Sequence, residues 1–328
     1  MELAINLSKG QGLGNQIFCI TALYKLATIL KRKPLIFNYS NYKGESFLPL
    51  NKTIFDIYSL SYDCKFEIIN DSINQELISG LDITDHKDFI YSLFKSKSKK
   101  IILKGNLQNE FFIPSKEELF KIFPSLLELK KGKLNRNSDL MIHIRGGDYK
   151  KTIARSPKKY YLNSLRYLEA KLNLNLNKFI VCDDREYAKN LLPNITILSS
   201  LKSDKSDLKR ANHHLGFSIQ KDFLSLIKAK YAVIPASTFS FWCRIFAHSI
   251  YKDAFTLAPL NWYGYRLGNK FSSPRSYVYK DFIYIDKKGI THDSDQIYEK
   301  EINSFYIKNI KLNSKIRTMI NLIIINIF

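Results

Sequence analysis

Near the N-terminus an apolar run, Ala4 to Leu7, leads straight into Lys9-Gly10-Gln11-Gly12-Leu13-Gly14-Asn15 and then into an apolar-periodic segment from Gln16 to Leu30. Ile17, Ile20, Leu23, Tyr24 and Ala27 recur at i, i+3, i+4 spacing, which predicts one buried helix face. Pro34 ends that helix, and Leu35 to Asn38 reads as the next strand. Strand, glycine turn, helix, strand is the opening of a βαβ unit. A crossover helix of this kind joins parallel strands, so the chain is committed early to a parallel α/β sheet.

The alternation pauses and restarts. Residues 41–100 show no regular pattern, and Lys100 to Lys104 is one further strand. The Lys- and Asn-rich stretch 126–138 reads as a linker. Beyond it come strands at Leu140 to Ile144, Lys178 to Cys182, Ile195 to Leu198 and Ala232 to Pro235. The segments 158–171, Arg185 to Leu192, Phe217 to Lys230 and Phe239 to Ser249 have helical spacing. The expected fold is therefore α/β, with two Rossmann-like doubly wound domains, 1–135 and 136–328, facing a cleft that holds the ligand.

Composition narrows the function. With 45% hydrophobic and 13% aromatic residues the chain can bury a substantial core, which excludes disorder. Cys19, Cys64, Cys182 and Cys243 lie far apart with no CxxC pair, which excludes a zinc ribbon or a disulfide scaffold and suits a reducing compartment. The first residues form too short an apolar run for a signal peptide, and no stretch reads as a membrane helix, so a cytoplasmic protein is expected. The formal net charge of +21 suits a polyanion, an anionic membrane surface or a phosphorylated substrate, or reflects a general Lys/Asn bias. No helix-turn-helix, RNP or zinc-finger motif accompanies it, so nucleic acid is not the expected partner.

Four constellations carry chemistry, each at a strand end. Gly10 to Gln16 places glycines and two amides at a helix start, where backbone N–H groups and the helix dipole favour an anion or a sugar. It also reads as a plain tight turn. His143-Ile144-Arg145-Gly146-Gly147-Asp148 leaves its strand with His143 and Arg145 on one face. A guanidinium there can clamp a diphosphate, or can pair structurally with Asp148. Cys182-Asp183-Asp184 has three readings: Mg²⁺ held through phosphates, acceptors for the adjacent donors of guanine, or a helix cap before Arg185. Ser237, Thr238 and Ser240 offer hydroxyls at another helix start, as an anion site or a simple N-cap.

Taken in order, GQGLGNQIF, Gly105-Asn106-Leu107-Gln108-Asn109-Glu110-Phe111-Phe112, HIRGGDY, CDD and ASTFSFW resemble the motifs of the α-1,2-fucosyltransferases of glycosyltransferase family 11. The blocks run from residue 10 to residue 242 in family order. The resemblance implies a GT-B type fold and inverting, metal-independent transfer of fucose from GDP-β-L-fucose to a sugar hydroxyl, with no cofactor. It implies that Arg145 holds the diphosphate, that His143 and Asp148 line the donor site, and that Asp183 and Asp184 face guanine. Ser237, Thr238 and Ser240 then meet the phosphates. Gly12, Gly14, Asn15, Gln16 and Gln108 bind substrate from the first domain. Three positions depart from the pattern: Gly146 for a second Arg, Ala236 for Asn, and Phe241 for Trp.

Glu110 and Asp148 are the candidates for the base that takes the acceptor's proton. The partners implied are a GDP-sugar and a glycan acceptor in surface-polysaccharide synthesis. The tail, Lys311 to Phe328, mixes basic residues with MINLIIINIF. It reads either as packing on the first domain or as lying on the inner face of an anionic membrane beside a lipid-linked acceptor. Gly146 leaves a second reading open: a glycosyltransferase for a different nucleotide sugar, or a non-catalytic sugar- or nucleic-acid-binding protein on the same fold.

Overall fold

The computed structural model describes residues 1–50, 54–58, 67–70, 93, 95–108, 112–131, 139–147, 149–151, 155–172, 176–199, 217–260, 278–286 and 288–297. Glu110, Asp148, the 132–138 part of the expected linker and the tail 311–328 lie outside the described residues. The chain divides into two compact units, Met1–Leu134 with Arg275–Tyr277, and Asn135–Pro274 with Val278–Phe328.

In the first unit, β1 (Glu2–Asn6), β2 (Lys33–Phe37), β3 (Asp56–Tyr58), β4 (Glu67–Asn70) and β5 (Lys100–Lys104) form a parallel sheet in the order β3-β2-β1-β5-β4. Ala4 stands between Leu35 and Ile102 in register, and Leu3, Ile5, Ile36 and Leu103 are buried beside them. Such near-continuous apolar runs are what a parallel strand covered on both faces requires. The edge strands β3 and β4 come from the stretch that showed no pattern; at three and four residues they are too short to display a period.

The helix α1 (Leu13–Leu30) begins three residues before the expected Gln16, because Gly12 takes the extended N-cap position and Leu13 and Gly14 are already buried in the first turn. Contrary to expectation, α1 is long and apolar enough to cross a membrane by length and composition. Most of it is buried within this unit, and a core helix covered nearly all round has that same composition. It stops at Lys31, which is left-handed at φ 51°, before Pro34 is reached. Pro34 lies instead inside β2, near its start, where a missing N–H is tolerated. Buried Arg32 donates to Ser98 O at 2.9 Å, tying the helix exit to the approach to β5. The helices α2 (Lys116–Ile122) and α3 (Ser125–Lys131) follow. Ser115 and Glu118 form a capping box at the start of α2. The helix α3 occupies half of the expected linker, anchored by the fully buried Leu126.

In the second unit the described strands are β6 (Leu140–Ile144), β7 (Lys178–Cys182), β8 (Thr196–Ile197), β9 (Tyr231–Val233), β10 (Phe255–Pro259), β11 (Ile283–Ile285) and β12 (Thr291–His292). The helices are α4 (Lys158–Leu172), α5 (Arg185–Leu191), α6 (Phe217–Lys228) and α7 (Thr238–Ile250). The sheet order is β12-β11-β10-β9-β6-β7-β8, parallel except for β12. From β6 the chain walks outward through β7 and β8, then returns to β9 on the other side. That reversal between β6 and β9 is a topological switch point, where open α/β sheets bind ligands.

The expected strands are found within one or two residues; β10 to β12 were not foreseen. The helix α6 ends before the expected Lys230. There the wholly buried Arg244 of α7 donates to Leu226 O at 2.5 Å and Ala229 O at 2.9 Å, satisfying carbonyls that the helix end leaves open. Tyr160 of α4 donates to Ile234 O at 2.6 Å, fixing the exit of β9. Two α/β units on parallel sheets in one chain make this a fold of the GT-B type.

Candidate active site

The exit of β6 carries a cluster of charged and polar groups. Arg145 pairs through Nη1 with Asp183 Oδ2 at 2.5 Å, and its guanidinium carbon lies 5.1 Å from the centre of the Tyr149 ring. The backbone N–H of Gly146 donates to Asp183 Oδ1 at 2.7 Å. Asp183 and Asp184 lie at the exit of β7, the strand paired with β6. Asp184 accepts from Lys150 Nζ at 2.8 Å and from the Tyr187 N–H at 2.9 Å, so it caps α5 as one of the sequence readings had it. Burial works to raise the Asp184 carboxyl. The bonds from Lys150 and from the N–H groups of Tyr187 and Glu186 outweigh it and hold the group below its ordinary value.

Arg145 thus has an acidic partner in Asp183; the alternative reading that pairs it structurally with Asp148 falls on a residue outside the described ones. Parallel pairing of Ile144 with Cys182 sets the residues after the two strands side by side, which brings Asp183 to Arg145.

Across the switch point, β9 exits through Ile234-Pro235-Ala236 into Ser237, the N-cap of α7, whose side chain makes no capping bond. Ser237 is buried, and Ser240 is wholly buried with its hydroxyl donating to Ser237 O at 3.3 Å. Ser240 thus serves the helix start from within, while Thr238 is half-buried at its first position. His143 is buried in β6 and meets the Phe239 ring edge-on at 5.8 Å between centroids, which ties the strand to the first turn of α7. A guanidinium, backbone N–H groups and a thirteen-residue helix start around one switch point can hold an anion and stabilise negative charge that develops on it.

In the first unit the exits of β1 and β5, neighbours at the centre of that sheet, bring amides together across the sequence. Gln108 Nε2 donates to Asn15 Oδ1 at 2.8 Å, and Gln11 Nε2 to Asn106 Oδ1 at 3.0 Å. Gln16 is fully buried and spends both ends of its amide on one loop, donating to Asn41 O at 2.8 Å and accepting from Lys43 N–H at 3.0 Å. Gly12 is exposed at the helix start with nothing within 4 Å of a Cβ at that position, and Gly14 is buried in the first turn.

Sequence reasoning missed Tyr149, Lys150 and Tyr187, which hold the arginine turn and the acids, although Tyr149 stands within the HIRGGDY block. It also missed Ser199 and Asp222. The Ser199 hydroxyl accepts from Cys182 N–H at 2.8 Å and donates to Asp222 at 3.0–3.1 Å beneath the end of β7. An isolated Ser and Asp in different segments give no local signal. Among the described residues no group of three His, Cys, Asp or Glu side chains is placed to hold a metal ion.

No curated protein matches the sequence. Among solved structures the chain is similar to the fucosyltransferase NodZ from Bradyrhizobium, with a TM-score of 0.43 at 13% identity over 75% of this chain and 93% of that one. It is similar to Arabidopsis thaliana FUT1 in complex with GDP, with a TM-score of 0.40 at 14% identity over 75% and 68%. It is also similar to the E. coli heptosyltransferase WaaC with ADP, with a TM-score of 0.38 at 11% identity over 92% and 97%. The sequence match is the decisive one: it runs over residues 13–286, from the first turn of α1 to just past the end of β11, and takes in the first block from Leu13 onward and the four later blocks whole, through ASTFSFW, so the chain belongs to glycosyl transferase family 11.

Proposed function

We propose that this protein transfers L-fucose from GDP-β-L-fucose to a galactoside hydroxyl with inversion, as an α-1,2-fucosyltransferase that needs no bound metal. The observation that carries the reading is the placing of Arg145 at the exit of β6, oriented by Asp183 and Tyr149 and across the switch point from the start of α7. Family membership supports glycosyl transfer, and the five ordered blocks support fucose as the sugar.

In this reaction an acceptor oxygen bonds to the anomeric carbon as the bond from that carbon to the diphosphate breaks. The electron pair leaves with GDP, and the acceptor's proton passes to a base, for which Glu110 and Asp148 remain the candidates. Negative charge grows on the leaving phosphate. Arg145 and the N–H groups at the α7 start are groups able to stabilise it without reorganising. The test is incubation with GDP-fucose and a panel of galactose-terminated acceptors, with and without EDTA. GDP release and a product fucosylated at the 2-hydroxyl are expected in both. Strict Mg²⁺ dependence would move Asp183 and Asp184 to a metal role, and no transfer to any acceptor would overturn the assignment.

Gly146 favours a second reading, in which the donor is another nucleotide sugar; the same assay run with a panel of donors decides between them. The net charge of +21 supports work at the inner face of an anionic membrane beside a lipid-linked acceptor. Binding to anionic liposomes that weakens with salt is the outcome expected there.

A further inference from the structure

We infer that Asp183 is a positioning residue, one that sets the Arg145 turn for the donor's diphosphate, and not a reader of the nucleobase; this rests on the nucleotide-sugar reading above. Both carboxylate oxygens of Asp183 are directed at that turn: Oδ2 pairs with Arg145 Nη1 at 2.5 Å and Oδ1 accepts from Gly146 N–H at 2.7 Å. The Asp183 side chain is only 9% exposed, so little of it is left to present to the edge of a base. The turn is moulded onto the carboxylate, since a Cβ at Gly147 would lie 2.8 Å from Asp183 Oδ2, and Gly147 has φ +35°. One aspartate therefore fixes the backbone at the exit of β6 and the direction of the guanidinium together. A guanidinium carries its N–H donors in a rigid planar fork, so an ion pair through one nitrogen helps to set the direction of the whole group. Cys182 supports this arrangement from behind, where its N–H donates to Ser199 Oγ and holds the end of β7 in place.

The test compares GDP with guanosine, which lacks the diphosphate, and with ADP, which changes the base, on the full-length protein. For Asp183→Ala and Asp183→Asn, affinity for GDP is expected to fall about tenfold or more, the effect of losing a charge-assisted contact. Affinity for guanosine and the preference for GDP over ADP are expected to stay as in the wild type. In an Arg145→Ala background, Asp183→Ala is expected to weaken GDP binding no further. A parallel loss of guanosine binding, or collapse of the preference for GDP over ADP, overturns the inference in favour of base reading.

A measurement without ligand stands beside these. The Gly146 amide should be protected from hydrogen exchange in the wild type and in Asp183→Asn, which keeps an acceptor, and should lose protection in Asp183→Ala. An unprotected Gly146 in the wild type sinks the inference whatever the protein binds. A wild type that prefers another nucleoside diphosphate overturns the GDP-fucose reading alone, and the comparison then runs with that nucleotide and its nucleoside. A wild type that binds no nucleotide overturns both.

Discussion

A Cβ at Gly146 would lie 2.6 Å from the Cβ of Asp184 and 3.0 Å from Cδ1 of Tyr187, both on the turn that starts α5. Side chains do not approach each other so closely. The position that carries a second arginine in the family's motif is, in this chain, filled from outside by its neighbours.

Gly146→Ala is therefore expected to cost about 1–3 kcal/mol in urea unfolding, the usual penalty of forcing extra atoms into packed surroundings. Gly146→Arg, which restores the family residue, is expected to be at least as unstable and to gain no donor affinity. An increase in affinity with unchanged stability would show that the Asp184 turn gives way easily.

Local regularities made the strands and their exits legible. LMIHI, KFIVC and KIILK are apolar runs followed by Arg145, Asp183 and Gly105, and they appear as β6, β7 and β5 with the same bounds. What joins the site was not legible. The pairing of Arg145 with Asp183 depends on β6 lying beside β7, and the clamp of Gln16 depends on a loop twenty-five residues later. The segment Phe255–Pro259 hides its strand because it is short and ends in Pro, and its neighbour in the sheet, β11, comes more than twenty residues afterwards. Periodicity reports which face of an element is covered, and it does not report by what.

Arg145→Ala is expected to lower kcat by about 10²–10³, equivalent to roughly 2.7–4 kcal/mol of transition-state stabilisation. Lys is a poor substitute, since a point charge cannot reproduce the planar fork that meets Asp183 and Tyr149. Circular dichroism should show an unchanged fold for both variants. An Arg145→Ala enzyme of normal activity would remove the basis of the donor-site assignment.

Gln16 was expected to face substrate, yet the backbone of the 41–43 loop takes both ends of its amide. Gln16→Met keeps the buried volume and removes both hydrogen bonds, stranding Asn41 C=O and Lys43 N–H. A loss of about 1–3 kcal/mol in unfolding free energy is expected, with faster hydrogen exchange at the Lys43 amide. Unchanged exchange at Lys43 would show that the loop is held by other contacts.

Asp222 gives the protein a pH dependence whose sign is opposite to that of most carboxylates. It is 7% exposed, and burial pushes its carboxyl up to about 7. The Ser199 hydroxyl bond and the Lys221 charge lower it, the Asp183 charge raises it, and the buried thiols of Cys182 and Cys243 both feel its field. In the unfolded chain the same group titrates near 3.9. Between those values the native state binds the extra proton, so stability contributed by Asp222 is complete below about pH 4 and is lost as pH rises through about 7. The loss is on the order of 2–4 kcal/mol, since each unit of displacement is worth about 1.4 kcal/mol. Asp222→Asn resembles the protonated acid at every pH and keeps an acceptor for Ser199. Urea unfolding of the two proteins at pH 5 and pH 8 should therefore show a smaller fall in stability for the variant, and its advantage should be greatest at pH 8. An equal fall in both would mean that Asp222 is ionised in the native state throughout that range.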